Sequence, residues 1–197
     1  TYHRRVIRHS FISGHGSFLF WMRCDAEGPY LLLTPLPSTH LEYFDQRRTL
    51  SGPGDNYTAY IHSAGQKSLL QEYGTRWRQT NSSVTLAPAG QAGSSVTYGF
   101  RFSWARDYED VRRLLVRENL FDVRVAPGMT LPSDLTARIA IKSRSRIVAL
   151  EPEFPKDTEL RELGAREDGT RLYEVAFRRL GENLLTLRAE GNRSMVL

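Results

Sequence analysis

The chain has little cysteine, little lysine and no long apolar run. Cys24 is the single cysteine among 197 residues, which excludes an internal disulfide and any cysteine-built metal site. Its neighbours in "FLFWMRC" are apolar, so a small buried residue is expected there. Only Lys67, Lys142 and Lys156 are lysines, so the formal charge of +5 rests almost wholly on arginine. A phosphate-binding surface would concentrate that charge, but the arginines alternate with apolar residues in "VRV", "ARIAIK" and "FRRL". Solvated strand faces are the expectation, with no nucleic-acid partner. No stretch reaches the roughly 20 apolar residues of a spanning helix, so no membrane partner is expected either.

What is present is ordinary globular composition, 40% apolar and 25% charged, in a length that can bury one large β domain or two smaller ones. The chain opens on Thr1 without a signal segment and closes on "RSMVL", which reads as an unfinished strand. A piece of a larger polypeptide is expected, with its compartment not written in a targeting signal. Three of the five asparagines, Asn56, Asn81 and Asn192, begin glycosylation acceptor triplets, which favours an extracellular setting if the host is a fungus.

Strand signals dominate. "SFLFWMRC" places Phe18, Phe20, Met22 and Cys24 on one face and Leu19, Trp21 and Arg23 on the other. "YLLLTP" follows the Gly28-Pro29 turn, so residues 17–34 read as a hairpin. "HLEYF" and "YTAYIHS" are further strands, and "AGQKSLLQEYGTRWRQTN" reads as loop with at most one helical turn. "SVTLAP" and "SVTYGFRFSW" flank "AGQAGS" as another hairpin. In the latter, Val96, Tyr98, Phe100, Phe102 and Trp104 share one face at period two, and this ladder is expected at the centre of a core.

The pattern then changes to a helix. Asp107 stands at the N-cap, Glu109 and Asp110 fill the first turn, and Arg112, Arg113 and Arg117 follow, in agreement with the helix dipole. Tyr108, Val111, Leu114 and Leu115 form its apolar stripe, with the arginines on a solvated face. Afterwards come "FDVRVAP", "LTARIAIKS", "IVALEPEF", "RLYEVAFRRL", "NLLTLRAE" and "RSMVL". Short strands separated by turn signals such as "PKDTE", "EDGT" and "EGNR" have the spacing of a small immunoglobulin-like sandwich. The expected organisation is a first β unit over 1–106, a connecting helix over 107–120 and a small β-sandwich over 121–197.

No catalytic constellation stands out. Glycoside hydrolysis needs two suitably spaced carboxyls, but Glu151 with Glu153, and Glu42 with Asp45, are more simply surface charge. His40, Glu42 and Asp45 in "THLEYFD" could begin a metal set, with His40 and Glu42 on one strand face, yet no fourth ligand is implied. "SGHGS" has a superficial likeness to an oxyanion loop without a nucleophile elbow, and "SGPGDN" lacks the lysine and helix of a phosphate loop. No metal or cofactor is expected. Sugar binding requires aromatic faces beside planar polar groups. "TRWRQTN" supplies Trp77 with Arg78 and Gln79, while Trp21 with Arg23, and Tyr43, are second choices. Trp104 is assigned to the core instead.

The succession "FWMRCDAEGPYLLLTPLPSTHLEYFD", "YIHSAG", "YGFRFSWARDYEDVRRLLVRENLFDVRVAPGMTLPSDLTARIAI" and "RLGENLLTLRAEGNRSMVL" resembles the N-terminal β-supersandwich region of a family of large bacterial and fungal six-hairpin-glycosidase-like proteins. The resemblance implies a galactose-mutarotase-like supersandwich portion followed by a helical (α/α)6 domain of the same polypeptide. It also implies a polysaccharide or oligosaccharide ligand and a non-catalytic role in supporting or bordering a glycan cleft. No catalytic residues carry over. The alternatives are a stand-alone carbohydrate-binding module and a structural or protein-interaction β-sandwich.

Overall fold

The computed structural model describes residues 6–48, 55–67, 81–86 and 95–197. Mainly β architecture is observed, in several antiparallel sheets. β1 (Val6–Phe11), β2 (Phe18–Arg23) and β3 (Tyr30–Pro35) are neighbours in the first sheet. β4 (Tyr43–Arg48) and β5 (Asp55–Tyr60) form a separate two-stranded ladder, and β6 (Phe100–Ala105) returns to pair with β3. The 17–34 hairpin is thus present as β2 and β3. β1 was not foreseen in the sequence, and its exposed Val6 and Ile7 show how little of it the core holds.

The helix α1 (Tyr108–Arg117) covers one face of the first sheet. Val111, Leu114 and Leu115 are buried with Phe20, Tyr30, Leu32 and Ala105. Its start follows the expected chemistry: the Asp107 carboxylate accepts from the Asp110 N–H at 2.7 Å. Gly28 fixes where the β2–β3 turn meets this start, because a Cβ there would lie 1.8 Å from the Arg106 carbonyl oxygen. The expectation that the helix arginines are all solvated fails at Arg112. That side chain is largely buried and grips Asp122 through Nε at 2.8 Å and Nη2 at 2.6 Å.

The aromatic ladder requires a correction. Phe100, Phe102 and Trp104 are 40%, 60% and 68% exposed, so they are not the centre of a core. Period-two alternation says that two faces differ, not which one is covered. Here the apolar stripe of α1 decides, because the helix follows β6 closely and lands on the face of small Ala105, Leu32 and Phe20. Trp104, paired opposite Leu31, is left on the other side, as is Phe102 opposite Leu33. The β ladder also begins at Phe100 rather than Val96, and residues 81–86 carry no strand, so the expected second hairpin is not formed among the described residues. Gly99 is held instead by Thr39, whose Oγ1 accepts its N–H at 2.8 Å.

Beyond α1, seven strands build a two-sheet sandwich. β7 (Asp122–Ala126), β8 (Ala137–Lys142), β9 (Ile147–Pro152), β10 (Thr158–Ala165), β11 (Arg171–Phe177), β12 (Leu185–Ala189) and β13 (Arg193–Val196) follow one another along the chain. One sheet has the order β10-β11-β8-β7, the other β13-β12-β9. Phe121, Ile139, Ile141, Val175, Leu187 and Met195 fill the space between them. The turn signal "PKDTE" overlaps the start of β10, whose TELRELGA sequence shows no sustained apolar alternation. β10 is an edge strand tied to β11 by Arg161–Glu174 and Arg171–Glu162 pairs, a usual composition for an edge. Among the described residues, no helix is long and apolar enough to cross a membrane.

Candidate functional site

The loop 13–17 joins the two β regions. Ser13 Oγ both accepts from the Val196 N–H at 2.6 Å and donates to the Val196 carbonyl. The Gly14 N–H donates to the Leu41 carbonyl at 2.9 Å, and the His15 N–H to the Ser194 carbonyl at 3.0 Å. Gly14 has φ +57°, and a Cβ there would come within 3.0 Å of the Ser194 oxygen, so glycine suits the position doubly. The loop therefore holds His15 at the meeting point of β13 and the 39–42 segment.

His15 faces His40, with ring centroids 5.1 Å apart, and His40 meets His62 edge-on at 6.5 Å. Beneath them lies Glu42, a buried carboxylate with an unusually full set of donors. Its Oε2 accepts from the Ser63 N–H, the Ser63 hydroxyl and the Ser82 N–H, each at 2.8 Å. Its Oε1 accepts from the Ser82 hydroxyl at 2.5 Å and lies 3.1 Å from His40 Nε2. Burial alone would raise the Glu42 carboxyl, but the hydrogen bonds from Ser82, Ser63 and His40 outweigh it and hold the group below the usual carboxylate range. Glu42 is therefore ionised at neutral pH.

His62 extends the network outward. Its Nδ1 lies 2.7 Å from Ser82 Oγ and its Nε2 2.5 Å from the Tyr98 hydroxyl. His15 is pushed below its ordinary value by burial first, then by His40 and Arg193. His15, His40, His62 and Tyr98 are each half-buried, whereas Glu42 and Ser63 are fully enclosed. The arrangement is a buried anion under a rim of imidazoles and one phenol. It can bind polar groups and transfer protons. Among the described residues no group of three or more His, Cys, Asp or Glu could hold a metal ion.

The sugar-binding candidates lie elsewhere. Trp77, Arg78 and Gln79 fall outside the described residues. Trp21 is half-buried in β2, between Arg8 of β1 and Leu31 of β3, on the same face of the sheet as Trp104. Arg23 pairs with Asp25 in the following turn, and Tyr43 packs on Tyr60 across the β4–β5 ladder at 5.6 Å. The structure instead brings together His15, His40, Glu42, His62, Ser82 and Tyr98. Three of the chain's five histidines converge here. The His40 and Glu42 pairing on one strand face was the available signal, although Glu42, expected as surface charge, is buried.

Comparison with known proteins places the chain in context. Residues 2–196 match the model of a family described as "Family of unknown function (DUF5695)", and the chain belongs to that family. No curated protein matches it. Among solved structures it is similar to polysaccharide lyase BACCELL_00875, with a TM-score of 0.63 and 13% sequence identity. The match covers 98% of this chain and 25% of that one, so the chain spans a quarter of the neighbour's length. At that identity the likeness concerns the fold.

Proposed function

Taking DUF5695 membership and the shared architecture as premise, we propose that this chain is the β-sandwich region of a larger carbohydrate-active enzyme. In that reading it supports and borders a glycan cleft, with a helical (α/α)6 domain of the same polypeptide forming the other side. Its role in that reading is non-catalytic, and the machinery for bond breaking lies outside these residues. The carrying observation is that nearly the whole chain superposes on one quarter of a polysaccharide lyase. The proposed organisation is a supersandwich portion over 1–106, a connecting helix over 107–120 and a sandwich over 121–197. Trp77, Arg78 and Gln79, with Trp21, Arg23 and Tyr43, are the proposed sugar contacts.

The test is titration calorimetry of the polypeptide against a panel of neutral and acidic polysaccharides. Measurable heat with at least one glycan is expected, and Trp77→Ala should weaken that binding about tenfold, the loss of one aromatic anchor. An absence of heat across the panel would overturn the reading. One observation favours a second reading, a structural or protein-interaction sandwich: the exposed Phe100, Phe102 and Trp104 face is the kind of surface another part of a protein covers. That alternative expects no sugar response.

A further inference from the structure

We propose that Trp21, Phe102 and Trp104 form a stacking platform for an extended polysaccharide of equatorially linked pyranose units. The inference rests on the reading of this chain as part of a carbohydrate-active enzyme. It gives that reading a ligand geometry and adds Phe102 and Trp104 to the proposed contacts. Its basis is a contrast between the two faces of one sheet. On the helix side, His9, Phe18 and Tyr30 all stack on Phe20, with ring centroids between 4.6 and 6.4 Å apart. On the other side, none of Trp21, Phe100, Phe102 and Trp104 stacks on a ring or carries a cation over its face among the described residues. Phe102 and Trp104 are also the more exposed part of that face. Their ring faces are left for something outside the described fold.

The strand register sets the spacing. Trp21 is paired directly opposite Leu31, and Leu31 directly opposite Trp104. Direct partners share a face, and neighbouring strands lie about 4.8 Å apart, so the two tryptophans stand roughly 10 Å apart across the sheet. An equatorially linked pyranose chain is extended, and each unit advances by a length close to that strand spacing. Alternate units turn the same side downward, so the sugars over Trp21 and Trp104 present matching faces, with one unit over Leu31 between them. The axial C–H bonds of such a ring meet the negative face of the indole. Phe102, two residues from Trp104 along β6, widens the row. Arg8, paired opposite Trp21, and Arg23, two residues along β2, lie on the same side of the sheet and supply planar polar groups for hydroxyls at one end. Protein partners anchor by inserting side chains into pockets, whereas this face offers a row of rings across three strands. An axially linked chain coils away after meeting one ring.

The experiment titrates the polypeptide calorimetrically with cellohexaose and mannohexaose, both equatorially linked, and with maltohexaose, whose axial linkages coil the chain. At least one of the first two is expected to bind, and maltohexaose about tenfold or more weakly. Trp104→Ala is expected to weaken that binding about tenfold and Phe102→Ala about threefold, while Trp104→Phe keeps it within about threefold, because a ring face remains. In the unliganded polypeptide, acrylamide is expected to quench a fluorescence component that Trp104→Phe removes and that saturating oligosaccharide shields. A Trp104 component already shielded without sugar means that another part of the polypeptide covers this face, and overturns the platform. So does unchanged affinity in Trp104→Ala, equal affinity for maltohexaose, or no binding of either extended chain; each leaves the broader glycan reading to stand on Trp77. A polypeptide that binds no glycan at all overturns both.

Discussion

Strands β7–β13 enclose their own core, whereas the sheet β1-β2-β3-β6 has α1 on one face and an exposed aromatic row on the other. In the first case Ile141, Val175 and Leu187 lie between two sheets with almost no exposure. In the second, Phe100, Phe102 and Trp104 are left accessible on the face opposite the helix. A sandwich closed on both sides has done its structural work. An open sheet next to a buried carboxylate and three imidazoles is where binding or chemistry has room to occur. The division of labour follows from which side chains found partners within the chain.

The sharpest way to break that contrast is to truncate one residue on each side. Leu187→Ala in β12 should cost about 3 kcal/mol, since the site is completely enclosed and the cavity cannot collapse. Trp104→Ser, although it removes a larger side chain, should stay within about 0.5 kcal/mol because that ring is mostly in solvent. Urea unfolding of both variants decides the matter. Comparable losses would mean that the aromatic face is covered in solution and that the two regions do not differ.

A nearly equal effect is expected at the polar cluster. Glu42→Ala strands the Ser63 and Ser82 donors in a buried position, and should destabilise by about 2–3 kcal/mol in the same assay. The pH dependence follows with its sign. Glu42 has a folded value below its ordinary 4.5, so its contribution is complete above 4.5 and is lost as the pH falls through the lower folded value. His15 also has a folded value below its ordinary 6.5. The unfolded chain thus takes up that proton first, and stability begins to fall once the pH drops beneath 6.5. Thermal melts across this range should show a mild decline that His15→Asn removes and a steeper acid decline that Glu42→Ala removes. The smallest effect sharpens the helix: Asp107→Ala should cost about 1 kcal/mol through loss of the cap.

The fold was legible where the residues themselves impose a period. β2, β3 and the α1 stripe could be read from alternation and helical spacing, and the Asp107 cap from its position before acidic first-turn residues. β10 was not legible, because this edge strand, paired to β11 through Arg161 and Arg171, turns only Thr158 and Leu160 toward the core before Glu162 and Gly164 interrupt the alternation. The side to which Trp104 points was undetermined for a different reason. Alternation defines two faces, but coverage depends on where α1 lands, which is set by Ala105 and the Gly28 approach to Arg106. The site was least legible of all. His40 and Glu42 could be read as sharing one strand face, but His15, His62, Ser82 and Tyr98 come from four other segments whose spacing matches no motif; the loop at Gly14, the Glu42–Tyr60 and Ala64–Ser82 backbone bonds and the 98–99 segment bring them together.

Hydrogen–deuterium exchange of the polypeptide with and without its best-binding polysaccharide probes the functional role of the first β region most directly. Ligand-dependent protection is expected around 21–23, 43 and 77–79, the proposed sugar contacts, with strands β7–β13 unchanged. Protection confined to the closed sandwich, with those three segments unaffected, would contradict the account.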